Sequence, residues 1–173
     1  MKKIKLLITG VALSLMASNA NAWLLDGNNY TSVYGAYSTG KIKNDVYSSQ
    51  IMGFEQGRNF SSNWYGGLAL EYGVYKKESN KDDTLIDLRA SSIIAKIGYR
   101  PTERTQIYGE VGGMAGKTGS FEPLFGAGLR WNVFDNIGVF AEYRRISVPS
   151  SGASSDSYTI NSGLIGLQLY LRY

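Results

Sequence analysis

Lys96, Glu110, Arg130 and Glu142 alternate in sign, and each sits within its own stretch of alternating apolar and small or polar residues. In an extended strand successive side chains point to opposite faces. The four charges therefore share the face that elsewhere carries Gly, Ser and Tyr. Counted from the short turn segments, they lie at similar heights on four successive strands, with neighbouring strands about 4.8 Å apart. That arrangement suits a continuous salt-bridge network. Glu71 and Arg144, on the same face and somewhat higher, extend it. Ionic groups in a narrow interior are costly singly and tolerable as a mutually compensated set. The chemistry these residues suit is electrostatic cross-linking of a scaffold.

No comparable set supports catalysis. The chain contains no His and no Cys. A serine needs an adjacent general base to act as a nucleophile near neutral pH, and no Ser-Lys or paired-carboxylate motif stands out. Asp82 and Asp83 are sequence neighbours rather than a spaced ligand set, so no metal site is expected. Gly112 to Thr118 ends in Gly-Lys-Thr, but the first glycine of a phosphate-binding loop is replaced by Val111 and no helical pattern follows. No cofactor is expected. The formal charge of +4 largely reports Lys2, Lys3 and Lys5, leaving about +1 for the remainder, so nucleic acid is not an expected partner.

The elements that must position the charges are strands. Trp64, Leu68, Leu70, Tyr72 and Val74 oppose Tyr65, Ala69 and Glu71; Ile93, Ala95, Ile97 and Tyr99 oppose Ser92, Ile94 and Lys96. The same period of two runs through 107–115, 125–133 and 137–144. Two weaker strands are read at about 30–40 and 46–57, and a terminal strand from about 158, which makes eight. Tight turns near 58–62, 100–104 and 134–136 alternate with polar segments at 41–45, 76–84, 117–120 and 149–157. Short turns on one rim and longer polar loops on the other are the asymmetry of an outer-membrane barrel.

The two ends of the chain agree with export to a membrane. Residues 1–22 combine Lys2, Lys3 and Lys5 with an apolar stretch from Leu6 to Ala17 and end in Ala20-Asn21-Ala22, which reads as a signal peptide cleaved before Trp23. The stretch is shorter than the roughly 20 residues of a spanning helix. Residues 23–173 then form one barrel domain. At the other end Ile165, Leu167, Leu169, Leu171 and Tyr173 share one apolar face closed by an aromatic ring, as a bilayer-facing strand requires.

A soluble binding barrel also alternates, with its apolar face inside. The polar faces here carry only about one or two charges per strand, too few for a water-exposed surface. Aromatic residues gather near strand ends at Tyr99, Trp131, Tyr143 and Tyr173. The apolar faces are therefore assigned to lipid and the charges to the lumen.

Ala95-Lys-Ile-Gly-Tyr-Arg-Pro101, Tyr108-Gly-Glu-Val-Gly112, Gly126-Ala-Gly-Leu-Arg-Trp131, Ala141-Glu-Tyr-Arg144 and the terminal aromatic strand, in this order, resemble the small eight-stranded outer-membrane barrels, the group of OmpX, Ail and the membrane domain of OmpA. The resemblance covers all of 23–173. It implies an all-β, antiparallel, up-and-down transmembrane barrel with an interior filled by polar side chains. It also implies insertion by the barrel-assembly machinery, which would read the terminal strand carrying Ile165, Leu167, Leu169, Leu171 and Tyr173. The loops are short beside those of the adhesin members, and no peptidoglycan-binding domain follows the barrel.

The expected function is that of a non-enzymatic outer-membrane barrel, monomeric, serving envelope integrity or presenting surface loops. Its expected partners are outer-membrane lipids and lipopolysaccharide, whose phosphates could meet Lys41, Lys43, Lys76, Lys77 and Lys81 as point charges. Asp45, Glu78, Asp82 and Asp83 lie among these lysines, which favours a solvated mixed-sign surface. A small-ion channel is the alternative, weakened because eight strands leave an interior that side chains fill. A lipid-modifying enzyme is disfavoured because the outer-membrane enzymes of this architecture rely on His.

Overall fold

The computed structural model describes residues 29–42, 45–78, 88–115, 121–148 and 158–171. They form eight strands: β1 (Asn29–Ile42), β2 (Asp45–Asn59), β3 (Trp64–Glu78), β4 (Leu88–Tyr99), β5 (Thr105–Ala115), β6 (Phe121–Phe134), β7 (Ile137–Val148) and β8 (Tyr158–Leu171). Each pairs antiparallel with its sequence neighbour, and β1 pairs with β8 from Thr31↔Leu171 to Lys41↔Asn161, closing the barrel. Closure gives every strand two hydrogen-bonded neighbours, which is the condition for sheet backbone to lie in hydrocarbon. The register is continuous except for an irregularity between Asn132 and Phe134, beside the turn into β7.

The sheet turns its apolar side outward. Met52, Leu68, Ile93, Ile97, Ile107, Val111, Phe125, Leu129 and Ile165 are all exposed, whereas their sequence neighbours on the other parity are buried or partly so. Trp64, Tyr99, Trp131 and Phe134 stand exposed near the tight-turn rim, and Trp64 and Tyr99 pack with ring centroids 5.3 Å apart. Tyr37, Tyr72 and Tyr143 stand exposed toward the other rim. On β3, Leu68 and Leu70 lie between Trp64 and Tyr72. Eight residues of a strand tilted about 40° span about 20 Å, near the roughly 25 Å height of a lipid-facing apolar band. Ile165, Leu167, Leu169 and Leu171 all point outward. Tyr173 and the 1–22 segment lie outside the described residues.

The tight-turn rim is locked by backbone bonds between turns. The Arg100 N–H donates to the Asn63 carbonyl at 2.7 Å, Asn132 to Arg104 at 2.7 Å, and Tyr170 to Asn136 at 2.8 Å. At the opposite rim the structure corrects a boundary. Lys41 belongs to β1, and Lys76 and Lys77 belong to β3, rather than to loops; the ladder runs on through Ile42↔Asp45 and Val46↔Glu78. Polar composition suggested loops there, but strands that project beyond lipid tolerate polar side chains without losing their pairing. Lys43 and Lys81 lie outside the described residues.

Candidate functional site

The lumen is built in three layers, beginning at the tight-turn rim. There, Tyr30, Tyr65, Tyr108 and Tyr170 form one buried cluster. Tyr30 meets Tyr65 and Tyr170 edge-on, with centroids 6.2 and 6.1 Å away, the geometry that the ring quadrupole favours. Room for these rings comes from glycine. Tyr65 stands directly across from Gly98, and Tyr108 across from Gly128. A Cβ on either glycine would run into the facing ring. The same facing of ring and glycine recurs at Tyr30–Gly57, Tyr34–Gly53 and Phe140–Gly166.

The middle layer is ionic. Glu71, Lys96, Glu110, Arg130, Glu142 and Arg144 are all buried inside the barrel. Arg144 reaches Glu71 through Nη1 at 2.5 Å and Nη2 at 2.7 Å, and its Nε donates to Glu110 at 2.7 Å and to Glu142. Lys96 sits among three carboxylates, 3.4 Å from Glu55 and 3.7 Å from both Glu110 and Glu142. Arg130 turns away from Glu110 and Glu142; its Nη2 meets Glu55 at 2.9 Å and its Nη1 donates to Gln106 at 3.2 Å. Tyrosine hydroxyls complete the carboxylates: Tyr30 on Glu55 at 2.8 Å, Tyr34 on Glu71 at 2.5 Å and Tyr108 on Glu142 at 2.9 Å. Lys96 and Arg130 also lie over the Tyr108 face, each at 5.1 Å.

Glu55 is the residue that sequence reasoning missed, and it joins Arg130 to the remaining charges. Its strand, β2, has mixed residues on both faces, so its parity carried little contrast. The available signal was Gly53 and Gly57 two positions to either side, marking an inward face crowded by rings.

The third layer corrects another expectation. The interior is not polar throughout. Toward the loop rim Ala90, Ile94, Met114, Leu124 and Ile146 are buried in one apolar cluster with Tyr34, Ala69 and Phe140, the last two registered directly against Glu55 and Arg130. Such a cap withdraws the ion pairs from water, which strengthens their mutual attraction and raises the cost of leaving any one unpaired. The lumen therefore holds ions fixed against one another, wedged between a tyrosine floor and an aliphatic lid.

A closed antiparallel barrel of eight strands, apolar outside and ion-paired inside, is a transmembrane β-barrel of the smallest class. No family model matches the chain, and no curated protein matches it. Its likeness is to solved structures. A designed transmembrane β-barrel is similar at 16% identity and TM-score 0.58, covering 82% of this chain and 95% of that one. The outer membrane protein Ail of Yersinia pestis, in a phospholipid bilayer nanodisc, is similar at 18% identity and TM-score 0.54, over 83% of this chain and 99% of Ail. Neisserial surface protein A is similar at 16% identity and TM-score 0.53, over 84% and 97%. At these identities the likeness is one of fold.

Proposed function

We propose that this chain is a non-enzymatic, monomeric barrel of the bacterial outer membrane, inserted by the barrel-assembly machinery, whose work is to reinforce the envelope. The observation that carries this reading is the packed lumen. Among the described residues Glu55, Glu71, Glu110 and Glu142 are engaged with Lys96, Arg130 and Arg144, and aromatic and aliphatic side chains fill the interior around them. The fold likeness to Ail and to Neisserial surface protein A supports an outer-membrane location. A deletion strain tests the role: it should become more sensitive to bile and detergent, and a copy with exchanged loops should restore resistance. Unaltered sensitivity would refute the reading. Restoration by the native loops alone would move the function to surface recognition. Overexpression should leave the lipid A mass spectrum unchanged.

One observation favours a second role. Ail has been solved in complex with the heparin analogue sucrose octasulfate, and Lys41 stands exposed on this chain. Polyanion binding through Lys41, Lys43, Lys76, Lys77 and Lys81 is tested by neutralising all five; unchanged binding would remove it.

A further inference from the structure

The outer wall formed by β6, β7, β8 and β1 is not smooth. A groove of about 760 Å³ runs along it, lined by Tyr37, Leu129, Ala141, Tyr143, Gly163 and Ile165 among others. It is an open trough on the lipid-facing wall rather than an enclosed cavity. Strand register explains its shape. One row across the wall reads Thr39, Gly163, Tyr143, Ala127, and the row nearer the tight turns reads Tyr37, Ile165, Ala141, Leu129. Gly163, Ala141 and Ala127 make the floor; Tyr37, Tyr143, Leu129 and Ile165 stand around it. A Cβ on Gly163 would meet nothing within 4 Å, so the space above it is empty.

The next row toward the loop rim reads Lys41, Asn161, Arg145, Phe125. Lys41, Asn161 and Arg145 are exposed. Neither cation makes an ion pair among the described residues, unlike Lys96, Arg130 and Arg144 inside the lumen. The Tyr143 hydroxyl donates to Asn161 Oδ1 at 2.8 Å, which leaves the carboxamide NH₂ as a donor between the two cations. Lys41 and Arg145 are two strands apart, roughly 10 Å. An apolar trough capped by two cations and an amide donor complements a lipid with acyl chains below and phosphates above.

We propose that this wall docks lipid A, the phosphorylated, multiply acylated glycolipid of the outer leaflet, with an acyl chain over Gly163 and phosphates on Lys41 and Arg145. This rests on the outer-membrane location proposed above, in which the rim with the longer loops faces the outside of the cell. The guanidinium of Arg145 offers a fork for a phosphate, and Lys41 a point charge. A glycolipid carrying two phosphates engages both, whereas a phospholipid with one phosphate engages one.

The test uses the full chain refolded in neutral phosphatidylcholine nanodiscs, with retention of bisphosphorylated lipid A or phosphatidylglycerol read by native mass spectrometry. Wild-type protein should retain lipid A in preference to phosphatidylglycerol. The double variant Lys41→Gln/Arg145→Gln should lose roughly tenfold to thirtyfold in lipid A affinity, from about 1 kcal/mol per cation at a membrane surface. Gly163→Leu, which fills the trough and leaves both cations in place, should also lower retention, and Arg104→Gln at the opposite rim should not. Equal retention of the two lipids by wild type, or undiminished lipid A binding by the double variant, would overturn the proposal. Heat-modifiable migration is the fold control. A wild-type chain lacking it would sink the barrel reading and this proposal together, whereas a heat-modifiable double variant with normal binding sinks the docking site alone.

Discussion

Arg130 and Glu55, 75 positions apart in the sequence, meet across the lumen, Nη2 to Oε2 at 2.9 Å. The contact bridges β6 to β2, which are not neighbours in the sheet. Both side chains are almost wholly withdrawn from solvent. Glu55→Gln would leave the guanidinium without its only carboxylate among the described ion pairs, and breaking a buried pair from one side costs about 3–5 kcal/mol. The expected readout is a lower urea midpoint for loss of the heat-resistant band. Replacing both together, Glu55→Leu with Arg130→Met, should lose less, because Lys96 keeps Glu110 and Glu142.

Gly98 faces Tyr65 directly across the β3–β4 ladder. Gly98→Ala places a methyl group against the ring and should destabilise the barrel by about 1–3 kcal/mol. Gly163→Ala projects into open space and should stay within about 0.5 kcal/mol of wild type. Adding Tyr65→Ala to Gly98→Ala should cost less than the two changes summed, since the clash is removed. Equilibrium unfolding in lipid vesicles, followed by tryptophan fluorescence, reads all four variants.

Leu68 lies midway between Trp64 and Tyr72 on an outward face. Leu68→Arg should cost about 2–4 kcal/mol at the bilayer midplane, and Tyr72→Arg about 0–1 kcal/mol near the interface. The ratio of the two in vesicle unfolding reports depth directly. Equal costs would contradict a membrane-spanning orientation.

Purified barrel in a planar bilayer should give no steady nanosiemens openings, because Arg130, Tyr65, Ile94 and Leu124 are packed in the interior. Leu124→Ala combined with Arg144→Ala should raise the frequency of small conductance events by removing bulk from the cap and the ionic layer together.

Much of this architecture was legible beforehand, for a physical reason. On β3 to β8 one face must match hydrocarbon and the other a crowded interior, and these demands differ enough to show as a period of two. Lys96, Glu71 and Arg144 could be assigned inward on that basis alone. On β2 the demands converge: Ser48, Gln50 and Gln56 face outward, while Ile51 is buried, so polarity no longer distinguishes the faces and Glu55 was lost. The lid of Ile94, Leu124 and Ile146 escaped notice differently. They lie singly on separate strands, and only the closure of the barrel brings them into one cluster. The strand membership of Lys41, Lys76 and Lys77 was hidden because composition marks where lipid ends, not where pairing ends.

The pairing of Thr31–Lys41 with Asn161–Leu171 carries a consequence for biogenesis. The seam joins the first and last ribbons of the hoop, so it cannot be stitched until the final one has been synthesised and delivered. Before that moment two ragged borders invite promiscuous zippering. Afterwards neither border exists, and among the described residues the finished ring leaves a neighbouring chain no strand edge to grasp.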